Sequence, residues 1–185
     1  MRFPLFFQRG RSRPAASRPP APPDVAPGLG VTVSGAFDYP SDLPAAALIV
    51  TITDPGHAPC ERSGQYGPRL HLEFLDVDHP VPGTCRPEHL SQVLAFLRAN
   101  PTGHVHVNCR AGISRSTATA LLVLHERHPQ LDAGALSAEV LRVRPEAEPN
   151  RVVLTHVEQI TGLRFGGAHV RHDRPQHHRH ADWQD

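Results

Sequence analysis

Apolar positions along this chain follow two periods. Val31-Thr32-Val33 is short and β-branched. Residues 47–53 form a longer apolar run closed by the turn Asp54-Pro55-Gly56. Leu70, Leu72 and Phe74 then alternate with His71 and Glu73. These patterns predict three strands, the last of them half-buried. A fourth strand is predicted over the β-branched run that ends at Asn108-Cys109. Elsewhere the period lengthens. Leu90, Val93, Leu94 and Leu97 line one face of a helix that Pro87 opens and Asn100-Pro101-Thr102-Gly103 stops. A nearly unbroken apolar segment, residues 118–124, predicts a second helix reaching about Arg127. Asp132 is the expected N-cap of a third, with Leu136, Val140 and Val143 on one face. A fourth starts after Asn150, with Val153, Val157 and Ile160 inward and Gly162 at its end.

Short apolar strands alternating with helices predict an α/β fold. The expected architecture is a mainly parallel central sheet of four to five strands with helices on both faces. Residues 1–29 are rich in Pro, Arg and Ala without any period, and read as a disordered arm. Residues 30–163 carry the folded domain. Residues 164–185 read as a flexible tail in which His169, His172, His177, His178 and His180 cluster among arginines. Such imidazoles bind metals adventitiously, but a tail without apolar periodicity supplies no fixed geometry, so no metal site is expected. No internal repeat is present.

The chemistry concentrates at the end of the fourth strand. Cys109 is followed by Arg110-Ala111-Gly112-Ile113-Ser114, then by Arg115 and Ser116, then by the second helix. A strand-to-helix loop of this kind aims successive backbone N–H groups into one concavity at the positive end of the helix, which suits an anion. A helix N-terminus and a neighbouring arginine both favour the thiolate form of a cysteine, the form that attacks. Arg115 can hold two phosphoryl oxygens with its planar fork, as a lysine cannot. Gly112 supplies the positive φ of a tight loop. Two carboxylates, Asp76 and Asp78, lie about thirty residues upstream. A bare Cys-x5-Arg arises often by chance; the strand before, the helix after, Gly112 and Ser116 give this one its weight.

Residues 108–117 resemble the signature of the cysteine-dependent protein tyrosine and dual-specificity phosphatases, especially their compact bacterial members. The resemblance extends over residues 70–78, where such enzymes carry a general acid at a strand end. It extends also to Arg144-Pro145-Glu146-Ala147-Glu148-Pro149-Asn150, similar to a helix-linking turn of that group. It implies Cys109 as nucleophile, Arg115 as phosphate clamp and Ser116 as a group assisting breakdown of the thiophosphate. Residues 110–115 would bind the phosphate, and Asp76 or Asp78 would protonate the leaving group. The placement of Phe74-Leu75-Asp76-Val77 against the strand-end pattern favours Asp76. One departure stands out: the family usually has histidine immediately before its cysteine, and this chain has Asn108.

Composition narrows the alternatives. The formal net charge of +1 creates no field favouring nucleic acid or membranes. All 19 basic side chains are arginine, which excludes Schiff-base chemistry and a Walker phosphate loop. Cys60, Cys85 and Cys109 form no disulfide framework or zinc pair, which points to a reducing, cytoplasmic compartment. The N-terminus is too short and proline-broken for a signal sequence. The expected function is therefore phosphomonoester hydrolysis through a cysteinyl phosphate, with no cofactor and with a phosphorylated protein as substrate. The alternative is a pseudophosphatase that binds phosphorylated partners without turning them over. A rhodanese-type sulfurtransferase also places cysteine in such a loop, but its loop is not expected to end in an Arg-Ser pair.

Overall fold

The computed structural model describes residues 28–166. The arm as far as residue 27 and the histidine cluster of the C-terminal tail lie outside the described residues. Four strands, β1 (Val31–Gly35), β2 (Leu48–Thr53), β3 (Arg69–Glu73) and β4 (Val105–Cys109), form one sheet in the order β1-β4-β2-β3. All pairings are parallel. Val107 of β4 lies between Val33 of β1 and Val50 of β2. Every residue of β4 is buried, as a central parallel strand covered on both faces must be.

Four α-helices follow the expected pattern: α1 (Pro87–Ala99), α2 (Arg115–Arg127), α3 (Ala133–Val143) and α4 (Arg151–Thr161). Asp132 caps α3 by accepting from the Ala135 N–H, and Asn150 caps α4 by accepting from Val152 and Val153. The sheet is covered on both faces, but unequally. All four α-helices gather on one, with α2 in the middle: it packs on β1, β2 and β4 and against each of the other helices. That position explains why α2 is buried from Arg115 through Leu124 and why its sequence shows no polar stripe. The other face is closed by a 3₁₀ turn, Glu61–Gln65, and by a smaller cluster of Tyr39, Leu43, Ala47 and Ile49 with Cys60 and Tyr66.

One inward assignment fails. Val152, Val153 and Val157 of α4 are buried, but Ile160 is 39 % exposed. The helix ends at Gly162, whose φ is +71°, and the chain turns back so that Phe165 enters the core near that end. Leu29 and Phe165, just outside the expected limits of the domain, pack against the same core as the sheet. No helix among the described residues is long and apolar enough to cross a membrane.

Parallel strands have one consequence that organises everything functional. The carboxyl ends of β1, β2, β3 and β4 all lie at one edge of the sheet, with β4 in the interior. Ligands of open α/β sheets bind at such edges, where connections on either side of a strand diverge.

Candidate active site

Four chain segments meet at that edge. From β4 comes the loop of residues 109–115, turning directly into α2. Its carbonyls face outward and are taken by donors from elsewhere. Ala36 N–H binds the Arg110 oxygen, the Arg144 guanidinium binds that of Ala111, Glu148 N–H binds that of Ile113, and Asn150 N–H binds that of Ser114. Thr117 Oγ1 also donates to the Ile113 and Ser114 oxygens. Among the described residues, the N–H groups of residues 110–114 make no hydrogen bond to protein. The loop thus spends its acceptors on the scaffold and leaves its donors uncommitted, the polarity an anion requires. Gly112 has φ +72°, as the tight loop demanded.

Cys109 lies at the floor, buried, with Sγ 3.2 Å from Ser116 Oγ. The other two cysteines differ from it in setting. Cys85 is in the core, where burial pushes its thiol up to about 12, and Cys60 is half-buried on the opposite face of the sheet. A thiol held neutral in the core is inert.

Arg115 is buried and held by two segments. Its Nη1 donates to Asp54 Oδ1 at 2.8 Å and to the Phe74 carbonyl at 2.7 Å. Its Nε faces Asp76 Oδ2 at 3.5 Å, an ion-pair distance without a hydrogen bond. Among the described residues neither Nε nor Nη2 donates a hydrogen bond to protein, so the donors along one edge of the guanidinium are unspent. That edge is the one that forks onto two oxygens of a phosphate.

Asp76 and Asp78 separate clearly. Asp76, just past β3, accepts from Ser114 Oγ at 2.6 Å and from Asn150 Nδ2 at 3.1 Å. Asp78 accepts from the Arg151 N–H at 3.0 Å, in the first turn of α4. Of the two, Asp76 is the carboxylate that touches the cysteine loop.

Asn108 points away from the thiol, to the other face of the sheet. Its Oδ1 accepts from Tyr39 Oη and Thr51 Oγ1, both at 2.8 Å, while its Nδ2 is buried without a partner. Tyr39 is buried, stacks on Tyr66 at 5.8 Å and lies 4.6 Å from the His106 ring. Burial, first of all, raises its phenol well above the usual range, so it stays a neutral donor.

Four contributors were given no such role by the sequence. Asp54 reads as a turn residue, Asn150 as the start of a helix and Arg144 as part of a helix-linking turn, while nothing local marks Tyr39. Arg144 binds Asp38 Oδ2 at 3.0 Å as well as the Ala111 carbonyl, tying the turn after β1 to the loop. Asp54 had one legible signal. A carboxylate at the carboxyl end of a parallel strand lies at the edge where the site forms.

No family model and no curated protein sequence matches this chain. Solved structures do. Human DUSP28 superposes with a TM-score of 0.54 at 19 % identity, covering 73 % of this chain and 93 % of that one. The fold is that of the dual-specificity phosphatases. A human tyrosine phosphatase-like serine/threonine/tyrosine-interacting protein superposes with a TM-score of 0.50, also at 19 % identity, over 64 % of this chain and 78 % of its own. At such identities a dual-specificity phosphatase fold establishes architecture, and chemistry must be argued from the residues.

Proposed function

We propose that this protein is a phosphomonoester hydrolase that works through a cysteinyl phosphate and acts on phosphorylated protein. The observation that carries this reading is the union of Cys109, the uncommitted N–H groups of residues 110–114 and the unspent Nε and Nη2 donors of Arg115 at the carboxyl end of β4. The dianionic phosphate docks on those N–H groups and on Arg115. The Cys109 thiolate attacks phosphorus in line, forming the S–P bond as the P–O bond to the substrate breaks. Asp76 gives its proton to the departing oxygen. Water then attacks the thiophosphate, Asp76 takes the water's proton, and the sulfur leaves, assisted by the Ser116 hydroxyl. Charge on the equatorial oxygens meets donors already in place.

Tyrosine phosphate is the favoured substrate class. Phe37, 87 % exposed, stands in a turn whose neighbours are both tied to the loop, Ala36 through the Arg110 carbonyl and Asp38 through Arg144. An exposed aromatic ring in a turn so firmly tied to the loop offers a face to an aryl group. The free thiols are consistent with a reducing, cytoplasmic setting.

The deciding experiment is hydrolysis of an aryl phosphate, with and without vanadate, by the wild type and by Cys109→Ser. Turnover that vanadate blocks and the variant lacks supports the reading, as does anion binding retained by the variant. Binding without turnover in the wild type replaces it with the pseudophosphatase. Phe37→Ala should raise KM for an aryl phosphate while leaving inhibition by inorganic phosphate unchanged.

A further inference from the structure

Asn150 is 2 % exposed, and every polar group it owns is engaged. Its backbone N–H holds the Ser114 carbonyl at 3.2 Å, and its own carbonyl accepts from Leu154, the first bond of α4. Side-chain Oδ1 accepts from the Val152 and Val153 N–H groups, both at 3.1 Å. Side-chain Nδ2 donates to Asp76 Oδ1 and to the Val77 carbonyl, again both at 3.1 Å. One buried residue thereby joins the cysteine loop, the Asp76 segment and the start of α4.

Only an amide meets these demands together. The helix end presents N–H donors and needs an acceptor. The Asp76 segment presents oxygens and needs a donor. Turning the amide over would set Oδ1 against two oxygens and Nδ2 against two N–H groups, so the network assigns its orientation. Serine or aspartate can cap a helix equally well, but aspartate has no donor for Asp76, and the shorter serine has a single one. Capping alone therefore does not explain asparagine here.

We infer that Asn150 is the positioning residue that fixes Asp76 over the cysteine loop for proton transfer. This rests on the proposed reading of Asp76 as the general acid. The Ser114 hydroxyl is the second donor on the same carboxylate oxygen, and Leu75 N–H closes the following loop onto the Gly83 carbonyl at 2.8 Å. With the Asn150 amide removed, the strand-end segment keeps that closure and the Arg151 N–H bond to Asp78, but loses the donor that holds Asp76 and the Val77 carbonyl themselves. Asp76 should then sample positions out of reach of a leaving oxygen.

The test uses Asn150→Ser and Asn150→Asp, both able to cap α4, with phosphate esters of graded leaving-group acidity. General acid assistance matters most for poor leaving groups. Asn150→Ser is expected to lower kcat for phenyl or alkyl phosphates by roughly 10–100-fold, part of the 10²–10⁴ range of a general acid. It should leave KM unchanged and a substrate with a good leaving group nearly unaffected. Asn150→Asp, which sets a carboxylate against Asp76, should lose more. An equal loss across all leaving groups, or no loss, overturns the inference. A second arm needs no turnover. Amide hydrogen exchange over residues 74–79 should quicken in Asn150→Ser while α4 stays protected, and unchanged exchange overturns the positioning role. Absence of wild-type activity on every ester would instead refute the proposed function, with the exchange arm still deciding whether Asn150 holds Asp76.

Discussion

Gly112 lies directly against the backbone nitrogen of Gly35: a β-carbon on Gly112 would sit 2.3 Å from that atom and 2.3 Å from the Ser34 carbonyl carbon. Backbone cannot yield as a flexible side chain can, and the φ of +72° adds strain for any other residue. The cysteine loop is therefore shaped by how closely it leans on the end of β1. Gly112→Ala should abolish phosphate binding and turnover and cost roughly 1–3 kcal/mol of stability from backbone strain. Phosphate titration and urea unfolding check both. A variant that binds phosphate normally would show that the loop tolerates displacement from β1.

Arg115 has a double charge partnership, so its replacement exposes two separable effects. Arg115→Lys keeps a positive charge but loses the fork, and should nearly eliminate turnover. Asp54→Ala leaves the fork and removes its anchor at 2.8 Å. Taking one partner from a buried pair is destabilising by about 3–5 kcal/mol when both are enclosed. Asp54 is partly exposed, so the cost should be smaller, about 1–2 kcal/mol. Turnover should fall less in Asp54→Ala than in Arg115→Lys, because the Phe74 carbonyl still holds Nη1. Urea midpoints and kcat/KM for the two variants decide the order.

Much of this arrangement is legible in the sequence, and what is not has a common cause. Local signals did their work locally: strand period at 70–74, the proline that opens α1, the caps Asp132 and Asn150. Cys109 and Arg115 were legible because their relation is a spacing within one loop. Asp54, Tyr39 and the second role of Asn150 were not, because each acts on residues far along the chain that only the parallel sheet brings near. The crowding of α-helices on one face has no local signal either, since amphipathicity says that a helix has a buried side and not which side of a sheet it covers. Ile160 fits the period of Val153 and Val157, yet the helix ends before that turn can be covered.

Asp76 and Asp78 make opposite predictions. Asp76→Asn removes the carboxylate between Ser114, Asn150 and Arg115, and should lower kcat by roughly 10²–10⁴-fold for poor leaving groups. Asp78→Asn alters a contact with the first turn of α4, worth about 0.5–1 kcal/mol in stability, and should leave the leaving-group dependence intact. The measurement is log kcat against leaving-group pKa for each variant. If Asp78→Asn steepens that slope and Asp76→Asn does not, the roles are exchanged.

The last prediction concerns acid. Ser34 Oγ donates to the Gly35 carbonyl at 2.7 Å, so toward His106 Nε2, 3.0 Å away, it must accept. His106 is therefore assigned as the Nε2–H tautomer, with Nδ1 accepting from Thr32 Oγ1 at 2.9 Å. His104 Nε2 completes the series on Thr32 Oγ1, also at 2.9 Å. The chain of bonds runs from His104 to the Gly35 carbonyl, beside the cysteine loop, and it requires a neutral His106. Burial, then the neighbouring His104, lowers the His106 pKa to about 4, with Asp38 opposing. The unfolded chain restores it to about 6.5. Between those values the unfolded state binds the extra proton, so stability is full above about pH 6.5 and falls as pH drops toward 4. The loss is at most of the order of 3 kcal/mol, and burial of His104 adds in the same direction. His106→Gln keeps a donor and an acceptor without titrating. Urea unfolding at pH 7.5 and pH 4.5 should show a larger decrease for the wild type than for the variant. Equal decreases would show that His106 is not the source of the acid sensitivity.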